Sequence, residues 1–396
     1  MATVVYAWEM GTGLGHVMQF AALAGGLVEN GHRVVAIVKE LKTARAAFPP
    51  EVCLFPAPPT PPHPTIKRIT ESFAYLLDDY GFRDDETLGA LTCGWRNLYD
   101  VTKPDLIIFD HSPTGLLAAR GLPVRRVLIG MGYIVPPDRY PLPAVRPAPE
   151  VTEDELARHE DQILCRSNRL LKSLRMPTLE RLGQLFSDID HTFLMTFPEL
   201  DPYARFRPAD AKVWGAVVAQ GGAAPQWPAG SGKKVYGYLR NFPALPGLLD
   251  FLSRSGLPTL IYGDIDPLMR DRFTSPTLRF ALDRLDPAQV GRECDVQIMT
   301  SGHGSVASVL LAGKPSLQLP LYQEQGLNAR AVRKLGAGLD ASIEDGKHIV
   351  QKLEQLLGSE QYAQGARRFA QRYAWFDPCR QHEQMLDRIE GLLRQR

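Results

Sequence analysis

Two glycine-rich turns, each carrying an imidazole, hold the residues of this 396-residue chain best suited to chemistry. The later one reads Thr300-Ser301-Gly302-His303-Gly304-Ser305, after the apolar run Val296-Gln297-Ile298-Met299 and before a helical stretch. A buried strand feeding such a turn leaves the first N–H groups of the following helix without intrahelical partners. Those groups lie at the positive end of the helix dipole, where an anion binds. The Ser305 hydroxyl can add a donor and His303 a cation. The same residues would also serve an ordinary strand, turn and helix that binds nothing.

The earlier turn is Gly11-Thr12-Gly13-Leu14-Gly15-His16, between an apolar strand at 3–8 and an alanine-rich amphipathic run at 20–29. Gly13 and Gly15 are the positions where its backbone can come close to a ligand. An imidazole titrates near neutral pH, so His16 at a helix start can take a proton from an attacking hydroxyl, provided a carboxylate orients it. Asp110 meets that need at the carboxyl end of the apolar run 105–109, where ligands gather in open parallel sheets. It would equally suit the N-cap of a helix starting near Pro113. Glu9 and His111 are further candidates at the same edge.

Positioning these residues takes an α/β architecture. Strands expected near Thr3, Arg33, Val52, Asp105, Arg125 and His191 alternate with helical or irregular segments, the pattern of a parallel sheet with crossover helices. The proline-rich pieces 55–64 and 136–149 are expected as surface loops, because proline cannot serve a central strand. Between them, 67–80 and 84–101 read as helices carrying aromatic residues. Glycine, alanine and proline replace apolar periodicity at 219–232, which reads as a linker. A second unit then starts with a strand from Lys234 and continues through strands at Thr259, Leu278, Val296 and Ser316 to terminal helices. Its first strand ends Gly237-Tyr238-Leu239-Arg240, where Arg240 can meet a phosphate or remain solvated. The tail 378–396 is a helix with Met385, Leu386, Ile389, Leu392 and Leu393 on one side. The expected division is 1–218 with 378–396, a linker at 219–232, and 233–377.

Composition narrows the function classes. A hydrophobic share of 44% and a charged share of 22% suit a globular protein with two cores. A formal net charge of +1 gives no electrostatic case for nucleic acid or an acidic membrane surface. No stretch approaches the ~20 apolar residues of a membrane span, and the chain opens on a strand rather than a secretory signal. Five scattered cysteines, with no Cys-x-x-Cys pair, are expected as buried thiols of a reducing compartment, hence a cytoplasmic location. Asp188-Ile189-Asp190 and Asp264-Ile265-Asp266 match a metal-binding Asp-x-Asp, but are assigned to turns and caps. No metal and no resident cofactor are expected.

Taken together, 300–338 resembles the donor-binding segment of nucleotide-sugar glycosyltransferases of the GT-B fold, two Rossmann-like domains facing each other across a cleft, most closely the family-one and macrolide-type enzymes. In that family a His-x-Gly-x-x-Ser/Thr turn binds the diphosphate, a Gly-x-Pro ends the helix, as Gly313-Lys314-Pro315 does here, and an Asp/Glu-Gln pair meets the sugar. The resemblance thus implies diphosphate contacts at Thr300, Gly302, His303, Gly304 and Ser305, and sugar contacts at Glu324 and Gln325. It places Gly237, Tyr238 and Arg240 at the strand end where a loop near the sugar phosphates starts, and Leu285 by the nucleotide base, uridine or thymidine above guanosine. His16 becomes the base toward an acceptor, Asp110 its orienting partner, and the tail a helix crossing back to the N-terminal domain. The donor is then a co-substrate, and the acceptor a second small-molecule partner.

Two positions depart from the family: Thr300 stands at its usual phosphate-binding His and Ser308 at its usual ribose-binding acid. A non-catalytic auxiliary protein of the same fold is therefore the second reading, and a nucleotide-sugar epimerase a third. A dinucleotide-dependent dehydrogenase, with Glu40 on a ribose, is a fourth, set back because His16 stands where Gly-x-Gly-x-x-Gly needs a small residue.

Overall fold

The computed structural model describes residues 1–11, 14–60, 71–145 and 151–395, with the side chain of Leu14 left aside. The chain divides into two compact units, Met1–Gly215 with Asp377–Arg396, and Ala216–Phe376. Each unit is built on one six-stranded parallel sheet with helices on its faces, an α/β plan.

In the first unit the strands are β1 (Thr3–Trp8), β2 (Arg33–Val38), β3 (Cys53–Pro56), β4 (Leu106–Asp110), β5 (Arg125–Gly130) and β6 (His191–Leu194). Their order across the sheet is β3-β2-β1-β4-β5-β6. The central strands β1 and β4 are buried almost end to end, and their apolar runs, TVVYAW and LIIFD, suit strands covered on both faces. Sequence order reverses between β1 and β4, and there the carboxyl ends of two neighbouring strands diverge into loops that leave opposite faces. That crevice is where ligands bind in such sheets.

The second sheet repeats the plan with β7 (Val235–Arg240), β8 (Thr259–Asp264), β9 (Leu278–Ala281), β10 (Val296–Met299), β11 (Ser316–Gln318) and β12 (Gly338–Asp340), in the order β12-β11-β10-β7-β8-β9. Its switch point lies between β7 and β10. One face is filled by Leu239, Leu248, Leu249, Leu252, Ile298, Leu317 and Leu353, the other by a smaller cluster around Tyr236, Leu260, Leu285 and Val290. Segment 219–232 is held on this second unit: Ala223 bridges Leu285, and Trp227 packs into the smaller cluster while its indole N–H donates to Glu293.

Several local expectations change. Phe55 and Pro56 do pair with β2, but β3 is the sheet's edge, so the missing proline N–H costs no central hydrogen bond. The helix expected over 67–80 begins, among described residues, at Phe73–Leu77 and runs into a wide turn, Asp78–Phe82, where Gly81 has φ +98°. Short β12 lacks a hydrophobic run long enough to announce it. Four of the five cysteines, Cys53, Cys93, Cys165 and Cys379, are exposed and only Cys294 is buried, because the first four occupy an edge strand or the outer faces of helices. The tail forms the helix Pro378–Arg394, capped by Asp377 through the N–H groups of Cys379 and Arg380. It packs on the helix Leu14–Glu29 with Met385, Ile389, Leu392 and Leu393 buried. Among the described residues, no helix is long and apolar enough to cross a membrane.

Candidate functional site

At the first switch point the side chains are placed by three registers. Trp8 and Asp110 are paired residues at the ends of β1 and β4, and Tyr6 lies two residues before Trp8, so all three face the helix Leu14–Glu29. Two residues of strand rise about 6.6 Å and four residues of helix about 6 Å, so strand positions 6 and 8 match helix positions 20 and 16. Tyr6 accordingly stacks on Phe20, with centroids 4.3 Å apart and planes 1° from parallel, and Trp8 on His16 at 5.2 Å and 22°.

That packing sets His16 against the carboxylate. His16 Nδ1 lies 3.0 Å from both oxygens of Asp110, whose side chain is wholly buried. The Tyr6 hydroxyl donates to Asp110 Oδ2 at 2.7 Å and lies 2.9 Å from the His16 carbonyl. Burial, and then the charge of Asp110, hold the Tyr6 phenol well above its ordinary pKa, so it remains a donor. A carboxylate at Nδ1 places the proton there and leaves Nε2 as the basic nitrogen. Gly11 lies beside that nitrogen with φ +82°, and a Cβ on Gly11 would run into Nε2. The turn therefore needs glycine there for both backbone and room.

The competing assignments at this edge are separated. Asp110 does not cap the following helix Pro113–Ala118. Ser112 occupies the N-cap, and Glu9, on the other face of β1, accepts the Thr114 N–H at 2.6 Å together with the Thr114 hydroxyl and the Trp95 indole N–H. Burial pushes the Glu9 carboxyl up to about 7 despite these donors. His111 follows Asp110 with φ +45°, and its ring lies 5.9 Å from that of His16. Burial, then the charges of His16 and Lys39, keep His111 well below the usual histidine range, so it is neutral at pH 7. Gly15 stands in the first turn of the helix with no atom within 4 Å of a built Cβ. Gly13 lies outside the described residues.

At the second switch point the groups around the turn are largely backbone amides and hydroxyls. Thr300 is buried directly after β10, Ser301 takes φ +62°, and Gly302 caps the helix His303–Leu311. The first helical hydrogen bond runs from the Val306 N–H to the Gly302 carbonyl at 2.9 Å, so the amides of Gly304 and Ser305 precede the ladder. Asn328, on the helix Gln323–Lys334, braces the turn by donating to the Ser301 carbonyl at 3.0 Å. The His303 ring is buried beside Asn328, with Nδ1 3.4 Å from Oδ1, a long contact that ties it to the inside of the turn. Ser305 is half-buried in the first turn. Glu324 and Gln325 stand in the first turn of the next helix, and Gln325 Oε1 accepts the Leu321 N–H at 2.8 Å, leaving its amide NH₂ for other partners.

The remaining predicted donor contacts divide by place. Arg240 is exposed at the carboxyl end of β7. Gly237 and Tyr238 lie in the last half of β7, as expected, Tyr238 stacking on Tyr262 at 5.7 Å, and Leu285 is buried in the small apolar cluster. Among the described residues, no three His, Cys, Asp or Glu side chains come together as a metal site requires. Asp264 ends β8, Asp266 caps the helix Pro267–Phe273, and Asp188 and Asp190 meet Arg120 and Arg125, so both Asp-x-Asp runs are occupied in local structure. Sequence reading missed Tyr6 and Trp8. Their signal was present as two strand aromatics at i and i+2 facing His16 and Phe20 at i and i+4.

No protein-family model and no curated protein sequence matches the chain. Solved structures do. It is similar to the glycotransferase of kitacinnamycin, at 16% identity and TM-score 0.71, over 99% of this chain and 98% of that one. It is similar to the calicheamicin glycosyltransferase CalG4, at 16% identity and TM-score 0.70, over 100% of this chain and 98% of that one. The glycosyltransferase VinC in complex with dTDP matches at 13% identity and TM-score 0.63, over 99% and 98% of the two chains. With the same strand order in both its sheets and likeness over nearly its whole length, this chain has the GT-B fold of the macrolide-type glycosyltransferases.

Proposed function

We propose that the chain is a glycosyltransferase that moves a sugar from a nucleoside-diphosphate donor, uridine or thymidine by class, to a hydroxyl or amine of an acceptor, with inversion and without a metal ion. The observation that carries this reading is the His16–Asp110 pair at the switch point between β1 and β4. A base with a fixed tautomer has a use where a proton must leave a nucleophile, and none where a ligand is merely bound. Among the structures of this fold, one is described in complex with dTDP and another in complex with a spinosyn aglycone.

In the proposed step, His16 Nε2 takes the proton of the acceptor hydroxyl as that oxygen bonds to the anomeric carbon. The bond from that carbon to the diphosphate oxygen breaks, and its electron pair leaves with the nucleoside diphosphate. Attack opposite the leaving group inverts the centre. Asp110 stabilises the imidazolium that forms. The amides of Gly304 and Ser305 and the Ser305 hydroxyl face the growing charge of the leaving group, which the helix dipole also favours, so neutralisation does not call for a divalent ion. Glu324 and the free amide of Gln325 orient the sugar hydroxyls.

Calorimetric titration with uridine, thymidine, guanosine and adenosine diphosphates, followed by mass detection of donor hydrolysis or transfer, tests the reading. One diphosphate should bind, Ser305→Ala should weaken it about 2–10-fold, and its sugar conjugate should turn over. Binding with no turnover against any acceptor class would give the chain an auxiliary role instead. A lack of binding by all four would remove the donor site.

A further inference from the structure

The Asp110 carboxylate restrains the His16 ring at one nitrogen only, and a base that must meet an acceptor gains from contacts on its ring face as well. Trp8 stacks on one side of His16, centroids 5.2 Å apart and planes 22° from parallel, and His111 lies on it too, at 5.9 Å and 24°. Both distances fall in the range of offset aromatic stacking. Trp8 is itself immobilised: it is fully buried at the end of β1, and its indole N–H donates to the Met10 carbonyl. His111 is held by the Met10 N–H, which donates to its carbonyl at 3.1 Å, and by a left-handed backbone that a non-glycine residue adopts only at a cost. Neither ring nitrogen of His111 has a hydrogen-bond partner among the described residues, so its polar edges do not explain its place beside His16.

We propose that Trp8 and His111 are positioning residues for the base, two ring contacts that fix the plane of His16, with Trp8 also favouring its protonated form through its π-face. The proposal rests on His16 being the base. A protonated imidazole over an indole gains a cation–π attraction that the neutral ring lacks, strongest where water is excluded. Among the described residues, the titratable or charged groups near His16 include Asp110 from β4, the Tyr6 phenol from β1 and, beyond His111, Lys39 just after β2, whose ammonium is bound to the Gly11 carbonyl at 3.1 Å. Asp110 favours the imidazolium and Lys39 opposes it. Replacing Trp8 leaves all of these in place, so a change in His16 basicity reports the indole.

Histidine-labelled protein, with the His16 resonance assigned from the spectrum of His16→Gln, gives the His16 pKa without any need for turnover. Trp8→Phe keeps most of the ring area and excludes water nearly as well, but has a weaker π-face. It should lower the His16 pKa by about 0.3–1 unit, and move the acid limb of the kcat/KM profile down by the same amount. Trp8→Leu should lower it further. If Trp8→Leu does not fold, Trp8→Phe alone decides. His111→Ala should reduce kcat several-fold with KM unchanged, and His111→Phe should restore it. An unchanged His16 pKa in Trp8→Phe would make Trp8 a core residue only, and a raised one would mean that it acts by excluding water. Either result overturns the proposal. If His16→Ala instead keeps full activity, the base assignment itself has failed, whatever the titration shows.

Discussion

The two units repeat one strand order and equip it in opposite ways. Where β1 and β4 part, the groups are titratable and buried: Tyr6, Glu9, Asp110 and His111, with His16 against them. Where β7 and β10 part, Thr300, Gly302, Gly304 and Ser305 offer hydroxyls and amides, and the exposed Arg240 is a cation at the rim. A proton acceptor must have its pKa set by neighbours, which demands fixed side chains at fixed distances. An anion needs only oriented donors, and a helix start supplies these from the backbone whatever its sequence. The difference explains why the first site is crowded with interlocking side chains and the second is spare.

If that division holds, the largest effect belongs to the first site. His16→Ala should lower kcat about 10²–10⁴-fold while the Kd for the nucleoside diphosphate, measured by calorimetry, stays nearly constant. Asp110→Asn should approach the same loss. An asparagine can turn its amide N–H toward Nδ1, moving the ring proton to Nε2 and leaving no basic nitrogen for the acceptor. A matching rise in Kd for either variant would place the imidazole on phosphate and erase the contrast between the units.

Much of this was readable in advance, for reasons that differ by element. The strands opening each unit and the runs before Asp110 and Thr300 are buried on both faces, so their sequences are continuous apolar stretches that stand out. His16 and Asp110 flanked such runs, and parallel-sheet topology alone brings the ends of β1 and β4 together. What failed depended on context instead of pattern. Pro56 enters a strand because β3 is an edge, and β12 is three residues long. The aromatic partners of His16 needed the match of strand to helix rise, which becomes visible only when two elements are laid together.

The next effect concerns pH. Burial holds the Glu9 carboxyl at about 7 in the folded chain, against an ordinary 4.5. A raised carboxyl favours folding while protonated. Its contribution is complete below about pH 4.5 and is lost as the pH rises to about 7. The loss amounts to at most about 3 kcal/mol. Glu9→Gln cannot ionise, so its melting temperature should gain on that of the unaltered protein between pH 5 and pH 8, even if it starts lower for want of one acceptor oxygen. Scanning calorimetry at the two pH values checks this. A constant offset would mean that Glu9 is ionised throughout and that its hydrogen-bond donors outweigh its burial.

The smallest effects test the second turn, where two glycines two residues apart should behave differently. A Cβ on Gly304 would meet the Val217 carbonyl oxygen at 2.7 Å, backbone against backbone, whereas nothing lies within 4 Å of one on Gly302, whose φ of −61° suits any residue. Gly304→Ala should therefore push the helix start away from Val217 and cost about 1–2 kcal/mol of stability, with weaker binding of the diphosphate because the amides of Gly304 and Ser305 move together. Gly302→Ala should leave stability within about 0.5 kcal/mol. Its methyl group would enter the open space before the helix, so any loss of nucleotide affinity without loss of stability locates the ligand on that side. Thermal melts and titrations of the two variants separate these outcomes. Equal stability for both would mean that the turn relaxes freely, and a turn so loose could not hold its donors ready for a leaving group.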